Sequence, residues 1–152
     1  MAAIIQGLTN TFIAKSLAGD IDFDTDTFKI ALYTNDATLD ASTSAYTTTN
    51  EVVGTGYVAG GNTLTGATVT QDDDADVVYI TFDSPTTWTG TFSVRGALIY
   101  DSSSSNYSVC ILDFGEIKTI TSQTLTVTLP CLLYTSDAAD EGLGVDLGGR
   151  RI

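Results

Sequence analysis

The chain has 152 residues, 43% of them hydrophobic and only 16% charged, with 19 acidic side chains against 6 basic ones and no histidine. A formal charge of −13 repels nucleic-acid phosphates and anionic lipid, so neither nucleic acid nor a membrane surface is an expected partner. The apolar content is too high for a disordered chain, and the length suits one domain with its own core.

In chain order, the first candidate element is an amphipathic helix over about 4–18. Ile5, Leu8, Phe12 and Leu17 fall near one face, Ile4 and Ile13 widen it, and Gly19 suits the C-cap. The opening "MAAIIQGLTNTFIAK" has no basic residue before Lys15, so it does not read as a signal peptide. No stretch reaches the ~20 apolar residues that a membrane helix needs.

A strand is expected at about 27–34, where Phe28, Ile30 and Leu32 alternate with Lys29 and Ala31. The polar stretch 35–50, "NDATLDASTSAYTTTN", reads as an exposed loop long enough to carry function. "EVVGTGYVAGGNTLTGATVTQ" reads as three strands separated by turns. "DDDAD" is a tight acidic turn, "VVYITF" a strand, and "SPTTWTG" a turn carrying the single tryptophan, Trp88. "TFSVRGALIYD" is a strand, "SSSSN" a turn, and "YSVCILDFG" an apolar and therefore central strand. "QTLTVTLP" closes the series, with Leu125, Val127 and Leu129 inward and the threonines outward. About seven short strands after one helix predict a mainly β chain, a jelly-roll-like β-sandwich with an N-terminal α-helix. No βαβ alternation or internal repeat is present.

The style of the sequence changes after Pro130. "CLLYTSDAADE", then Gly142 and Leu143, then "VDLGGRRI" resembles the conceptual translation of a sequencing adaptor with a short barcode between two fixed blocks. Residues 131–152 are therefore expected to be a non-native tail on a fragment from shotgun, metagenomic sequencing, with residues 1–130 as the single native domain. Removing that tail's four acids and two bases leaves 15 acids against 4 bases, net −11, so the acidity belongs to the domain. Of the two cysteines, Cys131 falls in the tail, which leaves Cys110 as an expected buried thiol rather than half of a disulfide.

Several motifs invite chemistry. Asp20, Asp22, Asp24 and Asp26 stand at every second position, as ligands do at the start of a calcium loop. The pattern then departs from that loop, with Thr25 where Gly is needed and Ala31 where Glu is needed. Asp72 to Asp76 offer a second acidic turn. Candidate metal ligands are Asp20, Asp22, Asp24, Asp72 and Asp74, but a solvated turn accounts for them, and neither metal nor cofactor is expected. "GTGYVAGG" lacks the Gly-Lys-Ser/Thr ending and following helix of a phosphate loop. Without histidine no Ser-His or Cys-His machinery exists, and the domain's only glutamates are Glu51 and Glu116, so an enzyme is not expected.

Arg95 interrupts the apolar "FSVRGALIY"; it either faces solvent or pairs with an acid such as Asp83, Asp101 or Asp113. Trp88, Tyr46, Tyr57 and Tyr107 fall in or near expected loops, where aromatics anchor partners, stack on sugars or cap a core.

The runs "LAGDIDFDTDTFKIALYT", "VVGTGYVAGGNTL", "DVVYITFDSPTTWTGTFSVRGALIYD" and "SVCILDFGEIKTITSQTLTVTLP" together resemble a family of small structural proteins of tailed bacteriophages. The specific part is their order across residues 1–130. The resemblance implies a non-enzymatic virion protein made in a bacterial cytoplasm, in head decoration or tail, with other virion proteins and copies of itself as partners. It carries no catalytic residue. Ile5, Leu8, Phe12, Trp88 and Arg95 are the candidate interface. The alternative is a carbohydrate- or surface-binding β-sandwich module, with or without calcium.

Overall fold

The computed structural model describes residues 2–83, 85–129 and 132–135. The chain is mainly β, with two antiparallel sheets and one short helix. The strands are β1 (Gly7–Leu8), β2 (Phe28–Tyr33), β3 (Asn62–Leu64), β4 (Thr68–Asp72), β5 (Val77–Thr81), β6 (Thr86–Asp101), β7 (Tyr107–Val127) and β8 (Leu132–Thr135). The helix α1 (Asn10–Ala18) lies between β1 and β2. The larger sheet has the order β1-β7-β6-β2-β3 and the smaller one β4-β5-β8.

The helix is shorter than the expected 4–18. Residues before Thr9 commit their backbone to strand partners instead: Ile5 N–H donates to the Leu39 carbonyl and β1 pairs with Cys110 and Ile111 of β7. Thr9 then caps the helix, its Oγ1 accepting from Phe12 N–H at 3.1 Å. The C-terminus ends as expected, with Gly19 in the left-handed region (φ 85°) and the Asp20 N–H bonded to the Lys15 carbonyl.

The large sheet is buried on both faces along β2, the 96–101 end of β6 and the 108–112 end of β7, and this explains the apolar runs there. Phe28, Ile30 and Leu32 of β2, with Ala97 and Ile99 of β6 and Cys110 and Leu112 of β7, face one core. Phe12, Ile80 and Phe82 close that core from the helix and the small sheet. Ala31 and Tyr33, with Leu98, Tyr100 and Ile111, face a second core on the other side, closed by Ile4, Ala37 and Leu39. The polar stretch after β2 is therefore not simply an exposed loop. Its polar residues face water, while Ala37 and Leu39 turn under and Tyr46 stacks on Tyr100 at 4.6 Å. Each large apolar side chain buried this way contributes about 1.5–3 kcal/mol.

The turn expected at "SPTTWTG" is instead the start of β6. Trp88 pairs with Leu125 in the ladder and is buried. The two strands expected between Tyr107 and Leu129 are one strand, β7, bent by bulges of its own, where Gln123 to Ile120 faces Gly90 to Phe92 and Lys118 to Asp113 faces Val94 to Gly96. Of the strand expected at "EVV", only an isolated bridge between Glu51 and Tyr33 forms. From there the chain runs close against β6. Gly56 (φ 88°) lies where a Cβ would collide with the Thr89 carbonyl, so only glycine fits.

The expected boundary at residues 130 and 131 lies on undescribed residues, as does 136–152. Strand β8 falls beyond it and pairs with β5, Val77 opposite Thr135 and Ile80 opposite Leu132. Strand addition needs only an open edge and a β-capable segment, and "LLYT" supplies the second.

Candidate functional site

The acidic motifs are turns. After α1, Asp22 Oδ1 accepts from Asp24 N–H at 2.9 Å, and Asp26 Oδ2 accepts from Asp22 N–H at 2.8 Å. Asp20 points away, paired with Lys15 at 3.4 Å. In the second motif Asp72 Oδ1 accepts from the backbone of Asp74 and Ala75, both at 3.1 Å. Asp22, Asp26 and Asp72 each commit one carboxylate oxygen to the local backbone, and among the described residues no three His, Cys, Asp or Glu gather in a metal-holding group.

The expected interface residues separate. Phe12 is core, with its ring edge-on to Phe23 at 5.8 Å, and Leu8 is half-buried against the same core. Ile5 stays outside, 60% exposed, because residue 5 lies on the extended segment and not on the helix. Leu8 and Phe12 are thus the sheet cap, and the continuous contact stripe expected of Ile5, Leu8 and Phe12 does not form. Trp88 and Tyr57 pack on each other at 6.4 Å between ring centres, both buried, so Trp88 presents no face to a sugar or a partner. Arg95 Nη1 bonds Asp113 Oδ1 across the β6–β7 bulge, and it is this pairing that makes a cation tolerable there. The other two acids are engaged elsewhere: Asp83 accepts from Thr65, and Asp101 from Ser103. Cys110 is a buried free thiol, and burial pushes it up to about 12, so it is not reactive at neutral pH.

Among the described residues, two open surfaces are suited to contact. The first is a groove of about 200 Å³ between α1 and the small sheet, lined by Phe12, Leu17, Phe23, Val69, Val78 and Ile80. Leu17 is 80% and Val69 50% exposed at its rim. The second is the outer edge of β7. On that side β1 covers only Cys110 and Ile111, and Gln6 adds one bond to Asp113 N–H. Beyond it, among the described residues, no strand pairs with the outer edge of β7. From Thr119 to Leu129 this edge carries no charged residue, on a chain whose net charge is −13.

Two buried carboxylates escaped sequence reasoning. Glu51 is 6% exposed, and its two oxygens accept from Tyr46 at 2.7 Å, Tyr57 at 2.5 Å and the Gly60 N–H at 2.7 Å. Tyr57 Oη also accepts from Leu32 N–H, and Tyr100 Oη donates to the Gly60 carbonyl. Burial, and then the nearby Glu51 charge, raise the phenols of Tyr46 and Tyr57 well above their ordinary value and push Tyr100 up to about 12. These tyrosines are permanent donors that fasten the 45–60 segment onto β2 and β6. Asp101, at the end of β6, is fully buried. The signal for both was an acid adjoining an apolar run, "EVV" and "GALIYD".

Compared with protein-family models, with curated proteins and with solved structures, the chain has no match.

Proposed function

We propose that this chain is a non-enzymatic virion structural protein of a tailed bacteriophage, a head-decoration or tail component that works by protein–protein assembly. The order of its sequence runs supports the phage reading. The observation that carries the assembly reading is the open edge of β7. Soluble β-proteins guard such edges with lysine, proline or inward charge. Here Gln123–Val127 pairs with Thr86–Gly90 on one side and offers uncharged backbone on the other. A neighbouring strand added there gains main-chain hydrogen bonds with no like-charge repulsion at the contact. The aromatics that would serve a sugar site are instead drawn inward, so assembly is the better reading.

Light scattering on the full chain and on a Thr124→Lys, Thr126→Lys variant tests this. Both threonines are exposed, and Thr124 Oγ1 touches only Thr89 Oγ1 at 2.8 Å. The expected result is a defined oligomer that the lysines reduce to monomer with an unchanged circular dichroism spectrum. A wild-type monomer at all concentrations, or an oligomer indifferent to the lysines, would remove the edge from the proposal.

A further inference from the structure

The helix and the small sheet do not close completely on each other. Phe12, Phe23, Val78 and Ile80 line the groove of about 200 Å³ between them, and Leu17 and Val69 hold apolar surface in water at its rim. A wider hollow of about 570 Å³ adjoins it, shares Ile21, Phe23 and Val69 with it, and reaches Asp24 and Thr68. Ser16 also lines the groove, and its Oγ is buried without a hydrogen-bond partner. A hydroxyl left this way costs stability that a polar group arriving from outside restores. Strand β4 ends its sheet, so among the described residues its outer edge pairs with no strand.

The charge around this apolar surface has one sign. Asp22 and Asp24 line the wider hollow, both exposed, and neither enters an ion pair among the described residues. The elements that frame the groove are α1, the 19–27 loop, β4 and β5. They carry a single base, Lys15, which Asp20 holds at 3.4 Å. Further acids, Asp72 to Asp74 and Asp76, stand where β4 turns into β5.

We propose that this groove is a docking site for a segment of a partner protein that alternates apolar side chains with lysine or arginine. Its apolar side chains cover Leu17, Phe23 and Val69, its cations meet Asp22 and Asp24, and the free edge of β4 offers main-chain hydrogen bonds. An anionic segment would meet like charge at the rim, so the sign of the partner is set. A second copy of this chain is a poor occupant, because the net charge is −13 and three of its four described bases are already paired. The site shares no residue with the 119–129 edge of β7, so it stands or falls separately from assembly there.

The test is fluorescence anisotropy on the full chain, in chelator, with a labelled peptide of alternating leucine and lysine. Two comparison peptides carry glutamate in place of lysine, or serine in place of leucine. The expected result is saturable binding of the leucine–lysine peptide, at least about tenfold tighter than either comparison. Leu17→Ser should weaken it about tenfold. Asp22→Asn with Asp24→Asn should weaken it about threefold, a loss that fades as salt rises to about 0.5 M. No binding at millimolar peptide, equal binding of either comparison peptide, or no effect of Leu17→Ser overturns the proposal. So does binding that appears only after Arg150→Ser and Arg151→Ser, which would assign the groove to the chain's own end. Self-association that Leu17→Ser abolishes would assign it to a second copy and overturn the proposal as well. Should the variants fail to fold, ¹⁵N shift mapping on the wild type decides: changes gathered on 12–24, 67–70 and 78–80 support the site, and changes centred elsewhere overturn it.

Discussion

The two sheets of this chain are built on different terms. The larger is covered on both faces along β2 and the adjoining 96–101 and 108–112 ends of β6 and β7, by the helix and small sheet on one side and by the 34–50 stretch and N-terminal segment on the other. Ile30, Ala31, Leu32 and Tyr33 are all 0% exposed in succession, which only a doubly covered strand achieves. The small sheet is covered on one face only; Ile80 is its sole buried side chain among those described, and Val69 is half-exposed. One sheet is a frame, while the other is a cover whose outer surface and groove remain available for contact.

Mutations should separate the two. The largest effect is expected from Leu98→Ala, which opens a cavity in the second core, at a cost of about 3–4 kcal/mol in urea unfolding. Glu51→Gln comes next. It keeps the shape but sets an amide donor against the Tyr57 hydroxyl or the Gly60 N–H, for about 2–3 kcal/mol. Because this glutamate holds the segment that covers the frame, quenching of Tyr and Trp fluorescence should also become easier. Val69→Ala, on the cover, should cost less than about 1 kcal/mol. If Val69→Ala instead matched Leu98→Ala, the small sheet would be as integral as the large one and the contrast would fail.

The contrast also explains what was legible in the sequence. Alternation in "FKIALY" and "QTLTVTLP" located strands correctly, because period two survives whichever face is buried. It does not say how many faces are buried, so Ala31 and Tyr33 were not seen to face a second core, and the stretch that closes that core read as a free loop. Ile4, Ile5 and Leu8 fit a helical stripe, but their backbone goes to Leu39 and to Cys110 of β7, distant contacts that no local pattern carries. Trp88 read as a turn residue because Pro85, Thr and Gly surround it, yet the ladder to β7 overrides that preference. For Arg95 the sequence leaves solvent and an acid partner both open, and the bulge on β7 is what brings Asp113 to it. The partners of the buried Glu51 and Asp101 stand close in sequence, Tyr46, Tyr57 and Gly60 for the first and Ser103 for the second, but periodicity does not show which polar groups turn inward together.

The central claim is that a rigid frame presents a bare strand edge for assembly. Hydrogen exchange on the full chain, at concentrations below and above the onset of association, tests it most directly. The prediction is that β2 and the 96–101 end of β6 exchange slowly at both, while outward amides in 123–127 slow markedly only on association. Slowing that spares 123–127 and falls elsewhere, or no slowing at all, would contradict it.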